Sequence, residues 1–535
     1  MKRTLLWLFA ACLLFTACAP SPANKTGMKS MWVYTHSLHG KRVLLIPLDS
    51  RPVNTDYVAL LGQMAGARVI LPPSGLDHFQ KAADYSKLKA FLVKNIASCD
   101  AVFIGIPEWL NGGIVQGRLI NTYTANMYRL EELKNILLKH PGKNVYILNI
   151  IPREMPAYLS KAAKYNSELV IYGRRYNQLL NAPSTEEADR IRNIMRDIEK
   201  LIPARYVKDY MGLFQQNLRV QYELINWAET GVVRELLIGL DDTSSMGIPK
   251  VSEKAIESLI SENQLSNVRI MSGADDLTAL LLARYKNEIN HTGSRYVVTF
   301  SHELEKGRVR AYDGKPLENV IHDKIQLLQP DNPASISPPM HIYVHSYDES
   351  MDKVERWANE NQGSIKGVAD LSATANGNTT TWTENFLRQK LFTKVESYSG
   401  WNTSGNALGL LLAHMEMIRD QPTWNDAYQK WMLTRYVEDY YFNNIKRGEY
   451  AAKYSSIGRL TAGQEKQIGD DITQKSNLLI DLLTFATMRG GKRIVVKPRY
   501  RIAKAELPWD RVFEIRYHFV LRKTSRAMPL SPFPS

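Results

Sequence analysis

Cysteine is nearly absent: the 535 residues contain Cys12, Cys18 and Cys99. The first two belong to an N-terminal leader. Cys99 then stands alone, which excludes an internal disulfide and any Cys-paired metal site in the body of the protein. "NIASCDAVFIGI" sets Cys99 just ahead of an apolar run, where it reads as a small buried residue. Long apolar stretches are also scarce, and none after the leader is long enough to span a bilayer. There is no GxSxG elbow, no HExxH helix, no P-loop and no GxGxxG, which removes the best-marked routes to serine, zinc and nucleotide chemistry. No basic run interleaved with aromatics occurs, so nucleic acid is not an expected partner. No fixed-period repeat argues for a solenoid.

What is present begins at the N-terminus. "MKR" is basic, "LLWLFAACLLF" is apolar and too short for a mature span, and "LFTAC" resembles a bacterial lipobox with Phe15 where leucine is usual. The expectation is a signal peptide over 1–17, a lipid on Cys18 and a flexible linker over 18–39, giving a lipid-anchored, extracytoplasmic protein at the cell membrane. A plain signal peptide cut near Ala17 is the alternative. The formal charge of +14 loses two with Lys2 and Arg3, leaving about +12 on dispersed lysines and arginines. Such a surface is solvated, and it favours anionic headgroups or wall polymers.

Short β-branched runs recur between helical stretches: "RVLLIPL", "RVILP", "AVFIGI" and "NVYILNII", then "ELLIGL", "NVRIM", "RYVVTF", "HIYVH" and "IKGVAD". Runs apolar on both faces predict parallel sheet, hence an α/β fold with two Rossmann-like lobes; a (β/α) barrel with insertions is the alternative. The expected divisions are an N-terminal lobe over 40–160, a helical insert over 161–230, a second lobe over 231–420 and a helical and small β module over 421–522. A disordered tail over 523–535 closes the chain. "STEEADRIRNIMRDIEKLI" opens the insert with a capping box at Ser184 and Glu187. "RVRAYDGKPLENV" predicts a hairpin turning at Asp313–Gly314.

Charge gathers where these strands end. "LLIPL" leads to Asp49, Arg51 and Asn54; "VFIGIP" to Glu108 and then Gln116 and Arg118; "ILNIIP" to Arg153 and Glu154. Later strands lead to Asp241–Asp242, Asp275–Asp276, His302–Glu303, His345 and Asp370, the last followed by "ATANGNTTTW". Ligands of parallel α/β folds bind beyond the carboxyl ends of strands. Each residue also has a purely structural reading: Asp276 as a helix cap, Asp49 and Asp241 as caps or turn residues, Arg51 as a surface arginine and the Asn-Gly pairs as turns.

"LLIPLDSRPVN", "GLDD", "GADDLTALLLAR", "ANGN" and "GWNTSGNALG" together resemble the bacterial domain-of-unknown-function 4127 family over roughly residues 40–520. The loop "EWLNGGIVQGR" is similar to that family's glycine-pair loop, with Glu108 where aspartate is usual. The resemblance implies no particular activity.

Three chemistries compete. Glycan hydrolysis needs two carboxyl groups across a bond, and Asp242 with Asp275 is the preferred pair, Glu108 and Asp49 next. Substrate binding would fall to Arg51, Asn54, Arg118, Arg153, Asp241, Asp276, Asn376, Asn378, Asn402 and Asn406, with Trp401 or Trp382 offering a flat face to a sugar. A divalent-metal hydrolase would draw on Asp49, Asp241 or Asp242, Asp275 and His302 or His345; no metal is assigned and no cofactor is identified. The third is a lipid-anchored binding protein without catalysis, for a small-molecule or glycan ligand, anionic if Arg51, Arg118 and Arg153 meet it. "GWNTSGNALG" opens a helix after a strand, so its amides suit an anion, but without the lysine or spacing of a P-loop. Ser404 is its expected cap.

Overall fold

The computed structural model describes residues 37–119, 123–157, 159–346, 350–372, 381–420, 425–454, 459–489 and 492–522. The fold is mixed α/β with mostly parallel sheets. The first sheet contains β1 (Arg42–Ile46), β2 (Arg68–Ile70), β3 (Ala101–Gly105), β4 (Asn144–Ile151), β5 (Glu235–Leu240) and β6 (Val268–Ser272), in the order β2-β1-β3-β4-β5-β6. All its pairings are parallel. The two-residue period of a strand, with both faces covered, explains why these runs are mostly apolar. In β1, Val43 and Leu45 enter one core while Leu44 and Ile46 enter the other. β5 divides likewise, with Leu237 on one face and Leu236, Ile238 and Leu240 on the other.

From β1 the chain first adds β2 on one side, then returns to place β3 on the other. That reversal opens a crevice at the carboxyl ends of β1 and β3. The insert between β4 and β5 consists of helices Asn166–Leu180, Thr185–Glu199 and Ala204–Glu229 around a core of their own. Ser184 caps the second of these by accepting from the Glu187 amide at 3.2 Å. The Glu187 carboxylate turns instead to Arg190, at 2.6 Å.

After β6 come β7 (Thr292–Gly293), β8 (Tyr296–Phe300), β9 (Ser335–Ile336), β10 (Met340–His345), β11 (Lys366–Asp370) and β12 (Ser397–Ser399). β8, β10, β11 and β12 form a second open parallel sheet, and β7 pairs only with β9. Both large sheets are open, so the architecture is not the barrel held as the alternative. The expected division near residue 230 separates β4 from β5 of one sheet, because β5 and β6 complete the first lobe. The hairpin at Asp313–Gly314 is reduced to one antiparallel bridge, Val309 to Pro316.

Helices Leu277–Ile289 and Ser404–Ile418 pack together between the sheets, buried along almost their whole lengths. The C-terminal part is helical and then β: β13 (Phe485–Arg489) pairs with β14 (Lys492–Val496), and β15 (Tyr500–Glu506) with β16 (Arg516–Leu521), both antiparallel. Helix Ala462–Leu482 lies against β15 at Gly469, where a Cβ would come within 2.5 Å of the Ala505 carbonyl oxygen. No described helix is long and apolar enough to cross a membrane.

Candidate functional site

The loop after β1 is built around Arg51, which is 5% exposed. Its Nε and Nη2 donate to Asp49 Oδ2 at 3.0 and 2.7 Å, and its Nη1 and Nη2 donate to Asp275 Oδ2 and Oδ1 at 3.0 and 2.5 Å. Glu514 adds a third carboxylate at 3.6 Å. Asp49 also accepts from the Arg51 amide and from Asn54 Nδ2, each at 3.0 Å. Burial alone would lower the Arg51 pKa, but Asp275 and Asp49 outweigh it and hold the value well above that of an ordinary arginine. Asp275 is pushed up to about 6 by burial, with Arg51 opposing the rise.

A second pair of acids stands at the end of β5. Asp241 accepts from Arg118 Nε at 2.8 Å and Nη2 at 2.5 Å. Asp242 lies 3.5 Å from Arg153 Nη1 and keeps about a third of its side chain exposed. Its φ of +37° is uncommon for a residue with a Cβ and marks a strained strand end. Burial and the adjacent Asp241 raise its pKa, while Arg118 and Arg153 counteract them. Arg153 is lowered, first by Arg118 and then by burial.

The third wall follows β12. Gly400 donates its amide to Asp439 Oδ2 at 2.9 Å, and Asn402 has φ +62°. Thr403, not Ser404, caps the helix Ser404–Ile418, its hydroxyl accepting from the Asn406 amide at 3.3 Å. The Gly405 amide donates to Asp313 Oδ1 at 3.1 Å. Gly409 is glycine for packing: a Cβ there would stand 1.7 Å from Asp276 Oδ2.

These loops enclose one cavity of about 850 Å³. Of the residues proposed from sequence, Arg51, Arg118, Arg153, Asp241, Asp242, Asp275, Asn402 and Asn406 line it. Others do not. Asp49 and Asn54 are fully buried behind Arg51. Glu108, 1% exposed, faces Asp77, whose amide donates to Glu108 Oε1 at 2.9 Å. Burial and the Asp77 charge raise Glu108, while burial and Asp49 push Asp77 up to about 8. Glu108 and Asp49 are therefore buried and are not among the residues that line the cavity. Asp276 occupies the N-cap position of Leu277–Ile289, yet its carboxylate accepts from Lys324 at 2.6 Å, deep in the core.

Trp401 is 2% exposed within the main core, so it offers no face to a sugar. Trp382 is stacked against His345 at 3.7 Å between ring centres, equally far from solvent. His302 caps a short turn, Glu303–Glu305. Among the described residues no three His, Cys, Asp or Glu side chains converge as a metal site. Of the carboxylates proposed for a metal, Asp49 and Asp275 bond to Arg51 and Asp241 to Arg118. Asn376, Asn378 and Cys18 lie outside the described residues.

Sequence reasoning missed the fourth wall. It comes from the C-terminal segment "PWDRVFE", within the module expected over 421–522, and from the π-helix Arg435–Lys446 with the residues that follow it. Trp509, Arg511 and Phe513 line the cavity, as do Asn443, Asn444 and Arg447. Trp509 and Asp510 both have positive φ, +64° and +51°. Trp509 Nε1 donates to Ser50 Oγ at 2.8 Å, fastening this segment to the loop after β1. Phe79 stacks on Trp509 at 5.8 Å. The alternation Trp-x-Arg-x-Phe behind a proline was the available signal. Extended π-helical geometry is rare and recurs at functional sites.

A family model described as "Protein of unknown function (DUF4127)" matches residues 43–518. No curated protein and no solved structure matches the chain.

Proposed function

The chain belongs to the DUF4127 family, and from that premise we propose that it is a carboxylate-dependent hydrolase of a cell-envelope or extracellular glycan. The observation that carries this reading is the convergence of Asp241, Asp242 and Asp275 on one cavity that Asn402 and Asn406 also line. Its volume of about 850 Å³ falls within the range of small-ligand sites.

Asp242 is assigned the proton-donor role. It is partly open to the cavity, and burial together with Asp241 favours its protonated form. Asp275, with both oxygens held by Arg51 and lining the same cavity, is assigned the charged role. In the reaction the glycosidic C–O bond breaks, the Asp242 proton passes to the leaving oxygen, and water supplies hydroxide to the sugar carbon and a proton back to Asp242. The asparagine amides suit hydroxyl groups of the substrate. The same reading places the protein outside the cell membrane, anchored through lipid on Cys18, with no nucleic acid partner.

A second reading, ligand binding without catalysis, is favoured by the full engagement of Asp275 with Arg51. Mutation separates the two. In a hydrolase, Asp242→Asn and Asp275→Asn lower product release by about 10²–10⁴-fold and leave ligand binding measurable by calorimetry. Saturable binding with no release by the wild-type protein from any member of a glycan panel would sink the hydrolase and support the binder.

A further inference from the structure

The hydrolytic reading leaves the fourth wall of the cavity without a task. There Arg447 lies 4.1 Å from the centre of the Phe513 ring, and Arg511 lies 4.5 Å from the centre of the same ring. Arg511 is also 4.7 Å from Trp509 and 4.9 Å from Phe79. Trp509 is itself stacked on Phe79 and has Arg51 5.1 Å above it. The aromatic rings are thus occupied by guanidiniums and by one another, which makes them supports for cations rather than a platform for a sugar. Stacking fixes the plane of a guanidinium while leaving its edge N–H groups able to donate.

The charged residues of this wall that line the cavity, Arg447 and Arg511, are both cationic. Glu514 accepts from Arg511 Nη2 at 3.1 Å and is shared with Arg51. Among the described residues no acidic side chain lies within ion-pair distance of Arg447, whose Nη1 donates to Asn443 Oδ1 at 3.3 Å. Burial lowers Arg447, and Arg511 adds to the effect against Glu514 and Glu438; burial lowers Arg511, and Arg51 adds to it against Glu514 and Asp49. Crowded, partly desolvated guanidiniums are relieved by an anion placed among them.

We propose that Arg447 and Arg511 form an oxyanion subsite of the cavity, holding a carboxylate or phosphate group carried by the ligand. Asn443 and Asn444 on the same wall take polar groups next to that anion. For the identity of the ligand the inference rests on the glycan reading, which it narrows to acidic glycans, either uronates or phosphorylated sugars. For the anion itself it rests on the geometry of Arg447, Arg511 and Phe513.

The test is titration calorimetry on the purified protein with D-glucuronate, inorganic phosphate and D-glucose. Saturable binding is expected for at least one anion and much weaker binding for glucose. The tighter of glucuronate and phosphate identifies the source of the charge. Arg447→Gln is expected to weaken anion binding by about tenfold or more, and Arg447→Lys to restore part of it. Arg511→Gln, with the fold checked by circular dichroism, provides the second variant. Asp242→Asn, which removes the proposed proton donor, should still bind the anion. Anion binding that depends on Arg447, without turnover of any glycan, upholds the subsite and defeats only the hydrolase. The inference is overturned if no anion saturates, if glucose binds as tightly as both anions, or if Arg447→Gln and Arg511→Gln both bind like the wild type.

Discussion

Within the wall of the cavity a single guanidinium, that of Arg51, faces Asp49, Asp275 and Glu514. Replacing it by methionine keeps much of the volume but leaves those carboxylates buried without their cation. The expected loss is about 3–5 kcal/mol, read from urea unfolding, and a change below 1 kcal/mol would show that the acids are neutralised in another way. Asp77 yields a prediction about pH. Its folded pKa of about 8 stands above the ordinary value of 3.8, so the folded protein holds a proton that the unfolded chain has released. The stabilising contribution is complete below about pH 4 and is lost as pH rises through about 8. Asp77→Asn should therefore flatten the decline in urea midpoint between about pH 5 and about pH 9, and an unchanged slope would contradict the assignment. Neither residue's role was legible in sequence. Asp77 stands well past the end of β2, and it meets Glu108, in the helix Ile106–Asn111 that follows β3, only through the tertiary fold.

At the scale of elements, the strands were readable because burial on both faces leaves a mostly apolar run rich in β-branched residues, as in "NVYILNII". The helices between the lobes were less so. "LTALLLARYKNEI" has the composition of a half-exposed helix, yet Arg284, Lys286 and Glu288 are all buried. Beyond the pair Arg284–Glu288 within the helix, the partners come from elsewhere: Arg284 reaches Glu235 and Asp331, Lys286 reaches Asp420 and Glu288 meets Arg234. Long-range pairing of this kind has no periodicity to betray it. The helix Ser404–Ile418 supplies two tests of its own start and packing. Thr403→Ala should cost about 1 kcal/mol, and Thr403→Ser should recover most of it, if Thr403 is the cap. Gly409→Ala should cost about 2–5 kcal/mol by driving a methyl group into Asp276 and breaking its bond to Lys324. Thermal unfolding of the three variants measures both, and a neutral Gly409→Ala would mean that the helices are free to move apart.

For the molecule as a whole, the strand-end rule located the cavity because every parallel strand of a sheet delivers its following loop to the same edge. Loops after β1, β3, β4, β5, β6 and β12 all reach it, and eight residues named from sequence line it. The rule could not foresee which acids face inward. Asp49 and Asp275 follow different strands and share one arginine, but only Asp275 reaches the cavity. Nor could it foresee a wall built from Trp509, Arg511 and Phe513, whose place depends on two left-handed backbone positions and on a bond to Ser50 from the far end of the chain. The most direct measurement is product release from a panel of acidic and neutral glycans by the purified wild-type protein and by Asp242→Asn. The account predicts saturable release from an acidic glycan by the wild type, lowered by about 10²–10⁴-fold in the variant. Undiminished release by Asp242→Asn, or release from neutral glycans alone, would contradict it.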